Sequence, residues 1–328
     1  MSAMYKIAII GAGQLGSRHL QALARLTLPC RISVVDPSPG SLDTARERFA
    51  QMPENPAIRG VSYHPSIGEL PGELDYVIVA TTADVRLRVL DALFAQSRVK
   101  SLLLEKVLFQ RLDEYQAAQA LIEGHGAKAW VNCLNRVYPV YAEIRQFFAG
   151  ETLRYFQVRG GQWGLGCNGI HYLDILGFLT GAAPETISTE GADRALIPSK
   201  RANFKEFTGV LRGRYTQGTE FEIASLAGSA DRLQLTFRSD SRSCVFDELT
   251  GAAAFFDAEQ GGAWVNREFR MPYLSELGTD VATAILSGTS CGLTTFGESL
   301  TFHLPFIEAM GAHAAACGQG SSDSCPIT

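Results

Sequence analysis

The chain has 328 residues, a formal net charge of −5 and 46% hydrophobic residues. That length predicts two domains, at about 150 residues each, with enough apolar surface for a large core. The acidic balance and the lack of any Lys/Arg run exclude a nucleic-acid-binding footprint, and no apolar run reaches the roughly 18 residues of a membrane span.

The amino terminus carries no signal-peptide pattern. Seven cysteines (Cys30, Cys133, Cys167, Cys244, Cys291, Cys317, Cys325) form no CxxC pair and are odd in number. They predict free thiols in a reducing cytoplasm.

In chain order, the first strong signal is the apolar run Tyr5 to Ile10, which ends at Gly11-Ala12-Gly13-Gln14-Leu15-Gly16 and feeds a helical segment from Gln14 to about Arg25. Such a strand turns sharply at Gly11. Gly13, without a side chain, lets a pyrophosphate approach the backbone, and Gly16 lets helix and strand pack closely. Free N–H groups of Gln14, Leu15 and their neighbours at the helix start favour the phosphates. A second strand, Arg31 to Val35, ends in Asp36, twenty residues after Gly16. A carboxylate there accepts hydrogen bonds from ribose hydroxyls and repels a 2′-phosphate, so the expected cofactor is NAD rather than NADP.

Strands and helices then alternate, as a parallel sheet with helical crossovers requires. A helix spans 41–50, short strands follow at 61–63 and 75–80, and Thr81-Thr82-Ala83-Asp84 sits at the carboxyl end of the latter, where open α/β sheets bind ligands. A helix at 85–96 leads to a fifth strand, 101–106, which closes on Glu105-Lys106. A helix (112–123) and a sixth strand (128–133) complete a doubly wound unit, so the domain boundary is expected at 131/132, giving domains 1–131 and 132–328.

The second half changes rhythm. A strand at 153–159, a glycine-rich loop at 160–169 and a helix at 170–179 precede strands at 209–215, 221–225, 233–237 and 252–256. This predicts an open, mostly antiparallel sheet covered by helices on one face. Helices at 273–286 and 296–316 finish it. The last opens with the capping-box pattern Thr295-Phe296-Gly297-Glu298, and Pro305 is expected to kink or split it. Residues 318–328 read as a loose tail.

The GAGQLG turn, Asp36, the Glu105-Lys106 pair and Gly169-Ile170-His171-Tyr172-Leu173-Asp174 together resemble the Gfo/Idh/MocA oxidoreductases. The resemblance implies an amino-terminal Rossmann domain and a carboxyl-terminal α/β domain whose open sheet face pairs subunits into a homodimer or homotetramer. It also implies hydride transfer between NAD(P) and a sugar, cyclitol or sugar derivative, nucleotide-linked ones included. A rival implication is a nucleotide-sensing regulatory protein that kept the fold and lost catalysis.

Oxidising a secondary alcohol needs a hydride acceptor, a base and a group that steadies the developing oxyanion. Lys106, at a strand's carboxyl end, suits the substrate oxygen. Glu105 beside it would hold the lysine or touch the cofactor ribose, near Thr81 and Thr82. His171 suits acid/base work near neutral pH, and Asp174, one turn on, shares its helix face and can orient the ring. On spacing alone His171 is equally a helix-start histidine with satisfied bonds. No other His or Cys has zinc-ligand spacing to it, so no metal is expected.

Three departures from the family pattern stand out. Cys167-Asn168-Gly169-Ile170-His171 carries a thiol where the family has an aspartate. Val107 replaces the proline after the lysine, and a cis bond before it would cost about 3 kcal/mol, so trans is expected. Arg86 stands where many relatives carry a histidine, either facing an anionic group or solvated at a helix start. Arg136 and Tyr138, in the polar crossover 135–138, Asn168 and Trp163 are candidate substrate contacts, with a packed tryptophan the alternative for Trp163.

Overall fold

The computed structural model describes residues 4–321 and 323–328. The chain divides into two compact units. The first comprises Met1–Phe109, Asp113–Leu134 and Pro272–Gly297, and the second Gln110–Leu112, Asn135–Met271 and Glu298–Thr328.

The first unit is a six-stranded parallel sheet. Its elements are β1 (Tyr5–Ile10), α1 (Gln14–Leu23), β2 (Cys30–Val35), α2 (Pro39–Ala50), β3 (Ile58–His64), β4 (Glu73–Val79), α3 (Arg86–Gln96), β5 (Arg98–Leu104), α4 (Leu112–Gly124) and β6 (Lys128–Val131). The strand order β3-β2-β1-β4-β5-β6 is that of a dinucleotide-binding fold, with the order reversing between β1 and β4. The central strands are apolar because helices cover both faces, and Ile7, Ala8, Ile9, Val77, Ile78, Val79 and Leu102 are almost completely buried.

The second unit opens with α5 (Pro139–Phe147), β7 (Tyr155–Gly160) and α6 (Leu165–Thr180). Next come β8 (Pro184–Ala192), β9 (Ile197–Pro198), β10 (Lys205–Glu206), β11 (Gly209–Tyr215), β12 (Glu220–Ser225), β13 (Gln234–Arg238), β14 (Arg242–Asp247), β15 (Ala252–Asp257) and β16 (Trp264–Glu268). Eight of these strands form one sheet, β16-β15-β14-β13-β7-β12-β11-β8. Its only parallel pair among the described residues is β7 with β12. Buried residues alternate with polar ones along the strands. Phe156, Val158, Leu211, Phe221 and Ile223 point inward, while Gln157, Arg212 and Glu222 bond one another on the other face. The fold class is thus α/β as expected, and the strands at 184–192, 242–247 and 264–268 are additions that alternation alone did not reveal.

Helices α7 (Leu274–Ser287) and α8 (Phe296–Ala316) close the chain. The sequence places α7 with the second sheet, but it packs on α1, where the Thr279 hydroxyl donates to Ala22 O at 2.8 Å. Of the kink or split expected at Pro305 the split does not occur, since α8 is one helix on both sides of it. A mid-helix proline costs about 3 kcal/mol, whereas each large apolar side chain buried contributes roughly 1.5–3 kcal/mol. Phe302, Phe306, Ile307 and Met310, on both sides of Pro305, are all buried. Gly177 of α6 makes room for Phe302, since a Cβ there would lie 2.3 Å from its ring.

Two further expectations are corrected. The carboxyl end is packed rather than loose. Cys325, Ile327 and Thr328 are buried, Cys325 N donates to Gln110 O and Lys205 N to Pro326 O. Helix α6 starts at Leu165, inside the stretch read as a glycine loop. The buried carboxylate of Glu206 accepts from the N–H groups of Gly166 and Cys167 at the helix start, a cap supplied from forty residues away that no local pattern discloses.

Candidate functional site

In the first unit the glycine turn does what its spacing requires. Gly11 adopts φ +94°, and a Cβ at Gly16 would lie 1.7 Å from Gly11 O. Gly13 has open space where its Cβ would be, so the turn leaves a cradle for a ligand phosphate. Asp36 closes this cradle. Its carboxylate accepts from Ala12 N at 2.7 Å and from Ser38 N at 2.8 Å. Each oxygen keeps a further acceptor position, so the carboxylate is oriented and still able to bind hydroxyls. Gln14 is tied to α2, its side-chain oxygen accepting from Arg48 at 2.6 Å, and Leu15 is half-buried. Thr81 and Thr82 follow β4, and the Thr81 hydroxyl is buried without a hydrogen-bond partner among the described residues. An orphaned hydroxyl at the carboxyl end of the sheet, beside an open glycine turn, fits a bound dinucleotide.

Glu105 and Lys106 follow β5. Glu105 is buried, and its Oε1 accepts from His19 Nε2 and from Asn132 Nδ2, both at 2.7 Å. Burial works against ionisation there, but the His19 hydrogen bond, the charges of His19 and Lys106 and the Asn132 amide outweigh it, holding the carboxyl at about 2. Glu105 is therefore a fixed negative charge next to Lys106, which is half-buried in the bend just after the strand.

The Lys106–Val107 peptide is cis, not trans as expected. The residues after it are held by Arg86, whose Nη1 donates to the carbonyl oxygens of Val107 and Leu108 and whose Nη2 donates to Thr81 O. Arg86 itself is 1% exposed. It is neither a solvated helix-start arginine nor one reaching for an outside anion, because it is buried and backbone carbonyls accept from both its Nη atoms.

In the second unit His171 and Asp174 lie on α6, His171 half-buried and Asp174 buried. Asp174 Oδ1 accepts from Arg136 Nη1 at 3.0 Å, and Arg136 also reaches Glu298 Oε1 at 3.3 Å. Its guanidinium lies over the Phe178 ring. Asn168 Nδ2 donates to Trp163 O at 2.9 Å. Trp163 spends its indole N–H on Ala224 O at 2.9 Å and meets the Tyr172 ring edge-on, which is the packed arrangement. Tyr138, Tyr141, Tyr172 and Asn135 gather around Glu248. Asn135 Nδ2 donates to Glu248 Oε1 at 2.9 Å, and the hydroxyls of Tyr141 and Tyr172 donate to Oε2 at 3.2 Å. Burial raises the Glu248 carboxyl above its ordinary range despite these two tyrosine bonds, and burial with the nearby Glu248 raises the Tyr138 hydroxyl.

The family model for the oxidoreductase family with an NAD-binding Rossmann fold, Gfo/Idh/MocA, matches residues 5–133. Over those residues the chain matches a Gfo/Idh/MocA Rossmann domain. Solved structures extend the likeness of fold over both units. UDP-N-acetylglucosamine 3-dehydrogenase GnnA from Acidithiobacillus ferrooxidans aligns with a TM-score of 0.69 at 18% identity, covering 98% of this chain and 99% of its own. An oxidoreductase from Agrobacterium radiobacter, in complex with NAD+, L-tartaric acid and magnesium, aligns with a TM-score of 0.72 at 15% identity, covering 95% and 97%. The super-repressor mutant of Gal80p from Saccharomyces cerevisiae aligns with a TM-score of 0.73 at 12% identity, covering 96% and 97%. A comparison with curated protein sequences found no match.

The family match supports an NAD(P)-dependent oxidoreductase of the Gfo/Idh/MocA type. Among the described residues no helix is long and apolar enough to cross a membrane. The sequence reading missed His19, Asn132, Glu206 and Glu248. Only His19 left a usable signal, three residues after Gly16 on the helix face that returns toward the sheet. The others act across 27 to 113 residues of chain.

Proposed function

We propose that this protein is an NAD-dependent oxidoreductase that transfers a hydride to or from a hydroxyl or keto carbon of a sugar, cyclitol or sugar derivative. The observation that carries the reading is the first unit's grouping of an open glycine turn, an oriented Asp36 and a lysine backed by an ionised, buried Glu105.

Gly11, Gly13, Gln14, Leu15 and Gly16 would hold the pyrophosphate, Asp36 the adenosine ribose, and Thr81, Thr82 and Glu105 the nicotinamide end. NAD, when bound, supplies the hydride acceptor or donor. Lys106 hydrogen-bonds the reacting oxygen and steadies its negative charge, with Glu105 holding the ammonium in place. His171 takes the hydroxyl proton in oxidation and returns it in reduction. Arg136, in the segment before α5, and Asp174, on the helix of His171, would position that end of the site through their ion pair, with Tyr138, Asn168 and Trp163 as further candidate substrate contacts. The open face of the eight-stranded sheet, which exposes Trp264 at its β16 edge, is the surface proposed to pair subunits.

A second reading, a non-catalytic NAD(P)-sensing regulator, is favoured by one observation. Cys167 stands where the resemblance calls for a carboxylate, and its thiol donates to Gly164 O at a long 3.7 Å. The test is a cofactor-reduction screen over sugars, inositols and nucleotide-sugars, the last included because the A. ferrooxidans protein is named for UDP-N-acetylglucosamine. Turnover of any of these, lost by about 100-fold or more in Lys106→Met with NAD affinity retained, supports the enzyme. Binding of NAD with no turnover across the screen supports the regulator.

A further inference from the structure

Arg86 begins α3 and is one of the largest side chains to be fully buried. A guanidinium stays charged at any working pH, and a buried charge persists only where its donors are met. Here carbonyl oxygens of the main chain accept from both Nη atoms, those of Val107 and Leu108 at Nη1 and that of Thr81 at Nη2. These carbonyls belong to two loops. One follows β4 and carries Thr81 and Thr82, and the other follows β5 and opens with Lys106. Strand β4 ends at Val79 and β5 at Leu104, so sheet pairing does not extend to either set of carbonyls. Tyr115 provides a tie further along, its hydroxyl donating to Phe109 O at 2.9 Å.

We propose that Arg86 is the positioning residue for Lys106, a clamp whose single planar fork fastens the Lys106 loop to the Thr81 loop. The proposal rests on the role given to Lys106 above. Three donors leaving one rigid plane in fixed directions define the separation of two loops in a way that a flexible ammonium cannot. The group that handles the substrate oxygen and the hydroxyl beside the cofactor then keep one spacing, whichever way the loops fluctuate. Catalysis is sensitive to this, because misplacement of a reacting group by about 1 Å can cost about 100-fold in rate.

The experiment compares Arg86→Lys and Arg86→Ala with the wild type, with and without methylguanidinium. Hydrogen exchange is followed at 81–83, at 105–109 and in β1 (Tyr5–Ile10), alongside NAD affinity and, where a substrate is known, kcat and KM. Both loops should lose protection together in Arg86→Lys while β1 does not change. NAD affinity and KM should stay within a few-fold, and kcat should fall by about 10- to 100-fold. Methylguanidinium should restore part of the protection and rate in Arg86→Ala. Should the alanine variant not fold, the lysine variant decides the matter alone. Unchanged exchange in both loops, or loss of protection spread equally into β1, overturns the clamp. The exchange readout needs no substrate. A coupled loosening of both loops in a protein that turns over none of the compounds screened supports the clamp and overturns the enzymatic reading.

Discussion

Asp174 of α6 accepts a hydrogen bond from Arg136 at 3.0 Å, with the arginine 8% exposed and the carboxylate 1% exposed. The carboxylate one turn beyond His171 is thereby committed through Oδ1 to a buried ion pair. Removing one member of such a pair leaves the other charge buried without its match, at a cost of roughly 3–5 kcal/mol. Glu298, which is 42% exposed on its side chain and contacts the same arginine, compensates in part. Asp174→Asn should therefore lower the melting temperature by several degrees before any effect on turnover is considered. Replacing both partners, as Arg136→Met with Asp174→Leu, should recover much of the loss. Equal melting curves for wild type and Asp174→Asn would show that the pair contributes nothing.

This pair also marks where the sequence stops being informative. The glycine turn, Asp36 and the strand ending in Glu105-Lys106 are local patterns, in which side-chain period and backbone sterics are written over a dozen residues. The order of the first sheet follows from them. Arg136 and Asp174 are each visible as polar residues in plausible places, but their contact joins positions 38 residues apart. The same holds for Glu206 at the start of α6 and for Arg86, whose three carbonyl partners have no sequence signature because every residue carries a carbonyl. Strand β16 escaped for a different reason. It is exposed along its whole length, so it lacks the alternation of buried and polar residues by which half-buried strands are read.

Asp36 should make the protein prefer NAD to NADP. Its carboxylate is fixed by the amides of Ala12 and Ser38, so it cannot swing away from a 2′-phosphate. Pro37 follows, with no arginine immediately after it to receive that phosphate. Titration with each cofactor should give NAD the tighter binding by at least about 10-fold, and Asp36→Asn should narrow the gap, since about 1.4 kcal/mol of charge repulsion is worth that factor. Tighter binding of NADP by the wild type would sink this reading of Asp36.

Glu105 predicts the acid limb of the stability curve. Its carboxyl is held at about 2 in the folded protein against an ordinary 4.5, so the unfolded chain binds its proton first as pH falls. The stabilisation is complete above 4.5 and is lost progressively between 4.5 and about 2. It amounts to roughly 3 kcal/mol at neutral pH. Glu105→Gln keeps an acceptor for His19 and loses the charge. Its melting temperature should lie well below that of the wild type at neutral pH, with the two converging as pH falls toward 3. Denaturation monitored by circular dichroism across that range checks this, and curves that stay parallel would refute the assignment.

Glu248 predicts the opposite sign in the second unit. Burial raises its carboxyl above 4.5, with Tyr172 and Tyr141 pulling the other way but not prevailing. A carboxyl raised on folding stabilises fully below its unfolded value, and that contribution fades as pH rises through the folded value. Glu248→Gln removes the titration while keeping the shape. The glutamine oxygen can accept from both tyrosine hydroxyls, and the Asn135 amide can turn its oxygen toward the new NH2 group. The variant should match the wild type near pH 4, where Glu248 is protonated, and gain on it as pH rises to about 8, where the wild type must hold a charge among Tyr138, Tyr141 and Tyr172. The difference in melting temperature, measured at several pH values, should climb and then level off. A difference that falls with pH would mean that the tyrosine hydrogen bonds stabilise the carboxylate more than burial penalises it.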